Sequence, residues 1–474
     1  MKPSYQKIFW SLAGTMLGLI GLKQGSRFLL NKTMDQILKI LTSDKYDENI
    51  WEMVPAIMRI NPHVVMETNF RSQSGTIINR PFGSPKKFPD FKSLMFNCAQ
   101  LRDLPTPIET PVDTSVIIGK EAKKPFKINL PLMVSAMAYG EALSADAKWA
   151  LAKGASLAKT AICSGEGPFL LSEWKASDTY IYMYNRGDWN RDRESEIIRN
   201  SSAVEIQFGQ GALGGTGHIL YAHDIDRQLR KDFNYPKGKD AVTHSRQKHV
   251  NHQSNLPKFI EYLKEISGGI PIGVKLAAGK YLEEDVDIAC HGGVDYIVLD
   301  GAEAATKGSP PILADDFCVP TIYAISRGAE HLYRTGFNKR VSLIASGKIS
   351  TPGDALKAIA LGADACYMGT VALFAISHLQ LEHAIPFEPP TQVLWYDGKF
   401  ADKFNKKQGA ENLAKFFASC KAELEEGIRS LGKSSLQEVN RSDLFSLDET
   451  IGKGLDLPMA YESCYKRTIK PQKL

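Results

Sequence analysis

Eight short apolar runs recur along the middle of the chain: LPLMVS from Leu130, AKTAICS from Ala158, YIYMYN from Tyr180, AVEIQF from Ala203, PIGVKLAA from Pro271, DYIVLDG from Asp295, RVSLIASG from Arg340 and ACYMG from Ala365. A strand that is apolar on both faces has to be covered on both, which is the pattern of a parallel sheet rather than of a half-solvated antiparallel one. Between several runs lie stretches with apolar residues at helical spacing, SADAKWALAKGASL, LPKFIEYLKEI and TPGDALKAIALG. Strands alternating with helices, eight times over about 250 residues, predict an α/β fold of the (β/α)8 TIM-barrel class. An open doubly wound sheet is the weaker alternative, because no GxGxxG turn follows the first run.

The remaining text divides the chain of 474 residues into flanks. Residues 1–30 form a hydrophobic N-terminal segment. Residues 31–125 carry helical patches (MDQILKILTS, IWEMVPAIMRI) and then Pro/Gly-broken text such as RPFGSPKKFPDF, and read as an N-terminal wrapping region. The barrel is expected over 126–385, and the charged helical text after 386 (AENLAKFFASCKAELEEGIRSL) reads as a C-terminal helical appendage. Within the first segment, Ile8 to Leu22 is an uncharged run of 15 residues between Lys7 and Lys23. That is short of the roughly 20 apolar residues a membrane span asks for, and on length alone an anchor and a helix packed on the body are equal readings. The basic residues after the run outnumber those before it, so an inserted form would keep the main body cytoplasmic.

A net charge of +5, from 58 basic and 53 acidic residues, lacks the clustered excess of a nucleic-acid binder but leaves phosphate-bearing small ligands open. The seven cysteines show neither CxxC pairs nor His/Cys ligand spacing, so neither a metal site nor a disulfide framework is expected, in keeping with a reducing compartment.

In a barrel of this class the functional groups stand on the loops after the strands, and phosphate is commonly held after the seventh and eighth. Those two loops are here ASGKIS and MGTVAL, in which Gly347 and Gly369 leave room for backbone N–H groups to approach an anion and Ser346 and Thr370 add hydroxyls. The alternative is that the glycines only close tight strand–helix turns. Lys275, in the otherwise apolar PIGVKLAAG, is either a charge awaiting an anionic ligand or a side chain snorkelling to water.

The text MVSAMAYGEALSADAKWALAKGASLAKTAICSGEGP, then AVEIQFGQGALGGTGHIL, DGAEAATKGSPP and VSLIASGKISTPGDALKAIALGADACYMGTVAL, resembles the FMN-binding synthase domain of the glutamate synthase family, above all its short stand-alone members of the N-methylglutamate synthase type. The likeness runs in order from about Phe91 to His378. It implies a barrel holding FMN, with Ser135, Ala136, Met137 and Ala138 against the flavin and Ser164 approaching the ring. It puts Lys275 at the pyrimidine edge, where a cation stabilises the reduced flavin, and Ser346, Gly347, Gly369 and Thr370 at the phosphate. Glu166 of SGEG matches the glutamate that faces substrate, a candidate for proton transfer to an imine nitrogen, or else a carboxylate capping a nearby loop. Gln210 matches a polar position beside flavin and substrate.

The departures fall on the substrate side. Leu213, Gly214 and Gly215 stand where the family has Lys-Pro-Gly, and a leucine cannot pair a carboxylate. Gln207 replaces a lysine, Met183 a glutamine, and Ala304, Ala305 and Lys307 replace glycines of a loop; Lys307 is a candidate to supply the lost cation from another wall of the site. The family's full-length enzymes carry an iron–sulfur cluster on cysteines just past the last strand; ALFAISHLQLEHAIPFEPP has none, so no cluster is expected. Nor is a cysteine glutaminase domain read at the N-terminus. The resemblance thus implies an FMN-dependent oxidoreductase of the CH–NH2 class that reduces an imino acid formed from a 2-oxo acid and ammonia or an amine, as in glutamate biosynthesis. An electron-donor or glutaminase subunit would be its partner. Short members often begin with an apolar segment, which favours membrane contact through residues 8–22. The alternative function is a catalytically degenerate scaffold that keeps the FMN and phosphate grip.

Overall fold

The structure, a computed structural model, describes residues 5–80, 82–304, 306–380, 382 and 389–462; the side chains of residues 5–20, of Ile50 and of Pro389 fall outside that description. Two compact units result, Met1–Ile78 and Asn79–Leu474. The stretch expected to wrap, 31–125, is therefore divided, and its second part belongs to the barrel unit.

The first unit is helical. Helix α1 spans Tyr5–Ser43, and two shorter helices follow at Met53–Arg59 and Pro62–Ser74. The last is opened by Asn61, whose side chain accepts from the His63 N–H, and closed by Gly75 in the left-handed region at φ +62°. Among the described residues no helix is long and apolar enough to cross a membrane. Most side chains of the run Ile8 to Leu22 lie outside the described residues.

In the second unit all eight apolar runs become strands of one closed parallel barrel: β1 Leu132–Val134, β2 Ile162–Cys163, β3 Tyr180–Tyr184, β4 Ala203–Gln207, β5 Ile272–Ala277, β6 Tyr296–Asp300, β7 Ser342–Ser346 and β8 Ala365–Met368. Each pairs with the next, and β8 returns to β1 through Met368↔Val134. Alternation decides what fills the interior. Register sets Glu205 opposite Gly273 and Gly273 opposite Tyr296, so these share the inner face. Gly273 contributes no side chain, and the Tyr296 ring occupies the vacated volume and donates to the Val204 carbonyl at 2.9 Å.

The outer ring includes α2 Ala145–Leu157, α3 Leu256–Ser267, α4 Thr321–Thr335, α5 Pro352–Ala360, the short α6 Thr370–Ile376 and α7 Lys406–Ser430. Ser144 caps α2 at Ala147 N, and Thr351 with Asp354 forms a reciprocal capping box on α5. The C-terminal helix α7 packs on α2, α5 and α6, burying Leu413, Phe417, Leu424 and Ile428, and so takes a place in the ring. Its approach to α2 is close enough that a Cβ at Gly154 would lie 2.8 Å from that of Leu413.

A hairpin of Val116–Ile118 and Phe126–Ile128 closes the end where the strands begin. It holds the residues just ahead of three strands: Lys120 Nζ reaches Asp364 Oδ1 at 2.7 Å, Lys124 N–H donates to Gly269 O at 3.0 Å and Asn129 N–H to Lys159 O at 3.1 Å. With that end plugged, the opposite mouth is left for chemistry. The barrel packing makes one position diagnostic. A methyl at Gly273 would sit 2.4 Å from the Tyr296 ring, so Gly273→Ala is expected to lower the stability read from urea midpoints by about 1–3 kcal/mol. Gly279→Ala, whose methyl meets nothing within 4 Å, is expected to be neutral.

Candidate functional site

Strands β7 and β8 pair through Ile344↔Ala365 and Ala345↔Cys366, so Ser346 and Gly347, which end one, and Gly369 and Thr370, which end the other, share one corner of the mouth. Gly347 has φ +127°, and a Cβ there would lie 2.3 Å from Thr321 Oγ1. The turn therefore needs glycine for conformation and for space. Among the described residues the backbone N–H groups of Gly347, Lys348, Gly369 and Thr370 donate to no acceptor in the protein. Four unpaired donors in one corner are costly unless something accepts from them, and an anionic group satisfies that need. Ser135 N–H donates to Met368 O at 3.0 Å, bringing the β1 loop against the same corner.

On the barrel axis Lys275 is 3% exposed, which removes the snorkelling alternative. It is not an unpaired charge either: its Nζ lies 3.1 Å from Asp300 Oδ2 at the end of the neighbouring β6. Glu205 lies nearby, its Oε2 accepting from Tyr367 OH at 2.7 Å across the interior and its Oε1 3.7 Å from Cys163 Sγ. Burial opposes charge on Lys275, but Asp300 and Glu205 outweigh it and raise its value above that of an ordinary lysine. Burial pushes the Glu205 carboxyl up to about 7, against the pull of Lys275. Beside Lys275 in register stands Gln207, fully buried, with neither amide atom satisfied; Asp300 Oδ1 is likewise orphaned. A cation, an amide donor and two amide or carboxylate acceptors thus converge with no protein partner for several of them.

The loops after β1 and β2 meet backbone to backbone. A Cβ at Gly165 would lie 2.6 Å from the Met137 carbonyl carbon, and one at Gly167 2.4 Å from Tyr139 O, so Met137, Ala138 and the SGEG turn form one shelf. Ala136 packs against the core beside it. Ser164, expected to approach a ring, stands in this turn with its hydroxyl engaged by the fold: it accepts from Met183 N–H at 2.9 Å and donates to Gly165 O at 3.2 Å.

On the substrate side Glu166 is held by an arginine outside the expected set. Arg186 is buried and donates from Nε and Nη2 to the two oxygens of Glu166 at 3.1 and 3.0 Å, while its Nη1 reaches Gly215 O and Thr216 O. Glu166 thereby fixes the β4 loop, the loop-holding role set beside proton transfer in the sequence reading. Gln210 begins a tight turn, its N–H donating to Gly214 O at 2.9 Å, and Leu213 in that turn is buried. Lys307 is engaged as well, by Asp397 at 2.7 Å and over the Trp395 ring, so it is not a free substitute cation. Ala304 lies beside Gly211, and Ala305 lies outside the described residues.

After β4 the chain forms a roof: a two-stranded ribbon, His218–Leu220 with Ala241–Thr243, and a helix, Arg227–Phe233, around a small core of Tyr139, Trp189, Leu229 and Phe233. The roof is tied to the β1 loop on the far side of the barrel by His218 Nε2 to Glu141 Oε2 at 2.9 Å and Tyr139 OH to Asp232 at 2.8 Å. Burial works against charge on His218, yet Glu141 prevails and lifts its value. Asp300, Glu205, Arg186 and His218 were missed because a polar residue in or beside a strand declares no distant partner in sequence; Lys148, on the buried face of α2, was visible as a lysine among alanines.

Among the described residues no group of three or more His, Cys, Asp or Glu side chains could hold a metal. Between the ordinary carboxyl value of 4.5 and about 7 the folded chain keeps a proton on Glu205 that the unfolded chain has released, so its contribution to stability falls as pH rises through that window. Glu205→Gln is expected to flatten that fall, measured as denaturant midpoints across the same pH range.

The conserved region in glutamate synthase matches residues 83–434. The glutamate synthase large subunit-like protein of Rhizobium meliloti is 28% identical over 422 residues, 85% of this chain and 95% of that one. The archaeal-type glutamate synthase [NADPH] of Dehalococcoides mccartyi is 25% identical over 401 residues, 81% of this chain and 80% of its own. Among solved structures, a doubly substituted flavocytochrome b2 with sulfite bound aligns at TM-score 0.50 and 16% identity, covering 81% of this chain and 83% of that one, a likeness of fold. With the barrel, the order of its motifs and a match over most of the chain in agreement, this protein belongs to the family defined by the conserved region of glutamate synthase.

Proposed function

We propose that the chain is an FMN-dependent oxidoreductase of the glutamate synthase type, reducing an imino acid formed from a 2-oxo acid and ammonia or an amine. The observation that carries this reading is the pairing of two unsatisfied groups at one mouth: four free N–H donors at the β7/β8 corner, and the buried Lys275, Gln207 and Asp300 on the axis. The first suits a phosphate. The second suits a planar ring edge that alternates carbonyl acceptors with an N–H, since Gln207 offers both a donor and an acceptor and Lys275 a cation.

Bound there, FMN would supply hydride transfer. The protein's own contribution is electrostatic and positional. Lys275, kept charged by Asp300 and Glu205, favours negative charge at the ring edge. Ser346, Gly347, Gly369 and Thr370 hold the phosphate; the shelf of Ser135, Ala136, Met137, Ala138 and Gly165 presents the ring face; the roof anchored by His218 and Glu141 excludes water. Glu166, paired with Arg186, orders the β4 loop so that Gln210 stands at the substrate side. With Leu213 buried and Lys307 paired, the family's carboxylate-binding lysine has no counterpart in that turn, and the substrate is accordingly an oxo acid gripped by other means, or one whose distal end is uncharged. NADPH, the donor in the name of the Dehalococcoides mccartyi relative, is the first reductant to try.

The test is anaerobic reoxidation of the dithionite-reduced protein by a panel of oxo acids with ammonia or amines. Fast reoxidation by one such pair is expected; no reoxidation by any pair until oxygen is admitted would instead support the degenerate scaffold. At the phosphate corner, Thr370→Val is expected to weaken FMN binding by about tenfold while leaving riboflavin binding unchanged, read by fluorescence titration.

A further inference from the structure

Lys148 has no place in the chemistry so far, yet it is fully buried in α2, directly behind the shelf. Its ammonium donates to Met137 O at 2.5 Å and Ser164 O at 2.8 Å, and lies 2.8 Å from Glu173 Oε1. The two carbonyls take two of its protons, and the Glu173 carboxylate stands at ion-pair distance as the counter-charge. The two carbonyls belong to the peptides Met137–Ala138 and Ser164–Gly165. In a trans peptide the C=O and the N–H point in opposite directions. Pinning both carbonyls on Lys148 therefore turns the N–H groups of Ala138 and Gly165 away from it; among the described residues that of Ala138 has no acceptor, and that of Gly165 faces the buried Cys163 sulfur. A cation on a carbonyl also polarises its peptide and strengthens the N–H as a donor.

We propose that Lys148 is a positioning residue for the bound cofactor: through the Met137–Ala138 peptide it aims the Ala138 N–H donor at an acceptor edge of the flavin, and through the Ser164 carbonyl it locks the second loop of the shelf beside it. This rests on the flavin reading above. Glu173 is the counter-charge that makes the buried ammonium tolerable. Burial raises the Glu173 carboxyl to about 7 while Lys148 pulls it down.

Lys148→Met alone would strand Glu173, so the informative variant is Lys148→Met/Glu173→Gln, compared with Glu173→Gln and Lys148→Arg. Each is stripped of flavin, titrated with FMN, and followed by the visible spectrum of the bound flavin and by the denaturation midpoint. The expected result is that Glu173→Gln binds like the native protein. The double variant, folded, should bind FMN about tenfold more weakly with a shifted spectrum, and Lys148→Arg should shift the spectrum too, because its donors are displaced. Native affinity and native spectrum in a folded double variant would overturn the proposal and leave Lys148 as packing. The same holds if Glu173→Gln alone reproduces the loss, or, should the double variant not fold, if Lys148→Arg shows the native spectrum. If the native protein itself takes up no FMN, the flavin reading falls first, and this inference with it.

Discussion

The charge of Lys275, buried at the axis of a closed barrel, is what the rest of the mouth is organised around. An ammonium removed from water is tolerable only beside an anion, and Asp300 at 3.1 Å on the next strand provides it, with Glu205 near enough to add its field. Those two acids are in turn buried, and Tyr367 and Cys163 reach across the interior toward Glu205. The barrel interior, which could have been filled with aliphatic side chains, instead carries a polar layer whose upper surface is left unsatisfied at Gln207 and Asp300. Buried polar atoms without partners are destabilising, and a site that binds a matching polar edge is the circumstance in which a fold retains them.

The loops repeat that logic on the periphery. Glycines at 165 and 167 let the β1 and β2 turns touch through backbone; Gly347 lets the β7 turn pass Thr321; and Gly211 brings the β4 turn so near β6 that a Cβ there would lie 1.9 Å from Gly301 O. At the β7/β8 corner the peptide N–H groups of Gly347, Lys348, Gly369 and Thr370 are left without a protein acceptor among the described residues. Charged side chains then fix the turns from outside: Lys148 behind the shelf, Arg186 with Glu166 beneath the β4 loop, His218 with Glu141 holding the roof to the opposite rim. The mouth is thus a set of backbone donors held rigidly by ion pairs, an arrangement suited to a ligand rich in acceptors.

Much of this was legible in the sequence. The eight strands were, because a doubly buried strand has to be apolar along its length, and so were α2, α3, α5 and α7, because an amphipathic helix declares its period. That the turns after β7 and β8 share one corner followed from strand order alone, since adjacent parallel strands necessarily deliver their turns side by side. Contacts between residues far apart in sequence were not legible. Nothing in SGEG announces Arg186, nothing in PIGVKLAA announces Asp300, and nothing in GHIL announces Glu141 across the barrel. The departures were visible as residues but not in their effect: Leu213 is packed into its own turn, and Lys307 has turned to Asp397.

The account requires that the two unsatisfied groups at the mouth belong to a single molecule with a phosphate at one end and a flat polar ring at the other. Equilibrium titration of flavin-free protein with FMN, followed by visible absorbance, addresses this directly. One equivalent taken up with resolved, shifted bands is the predicted result; an FMN spectrum identical to that of the free compound at every protein concentration would contradict it.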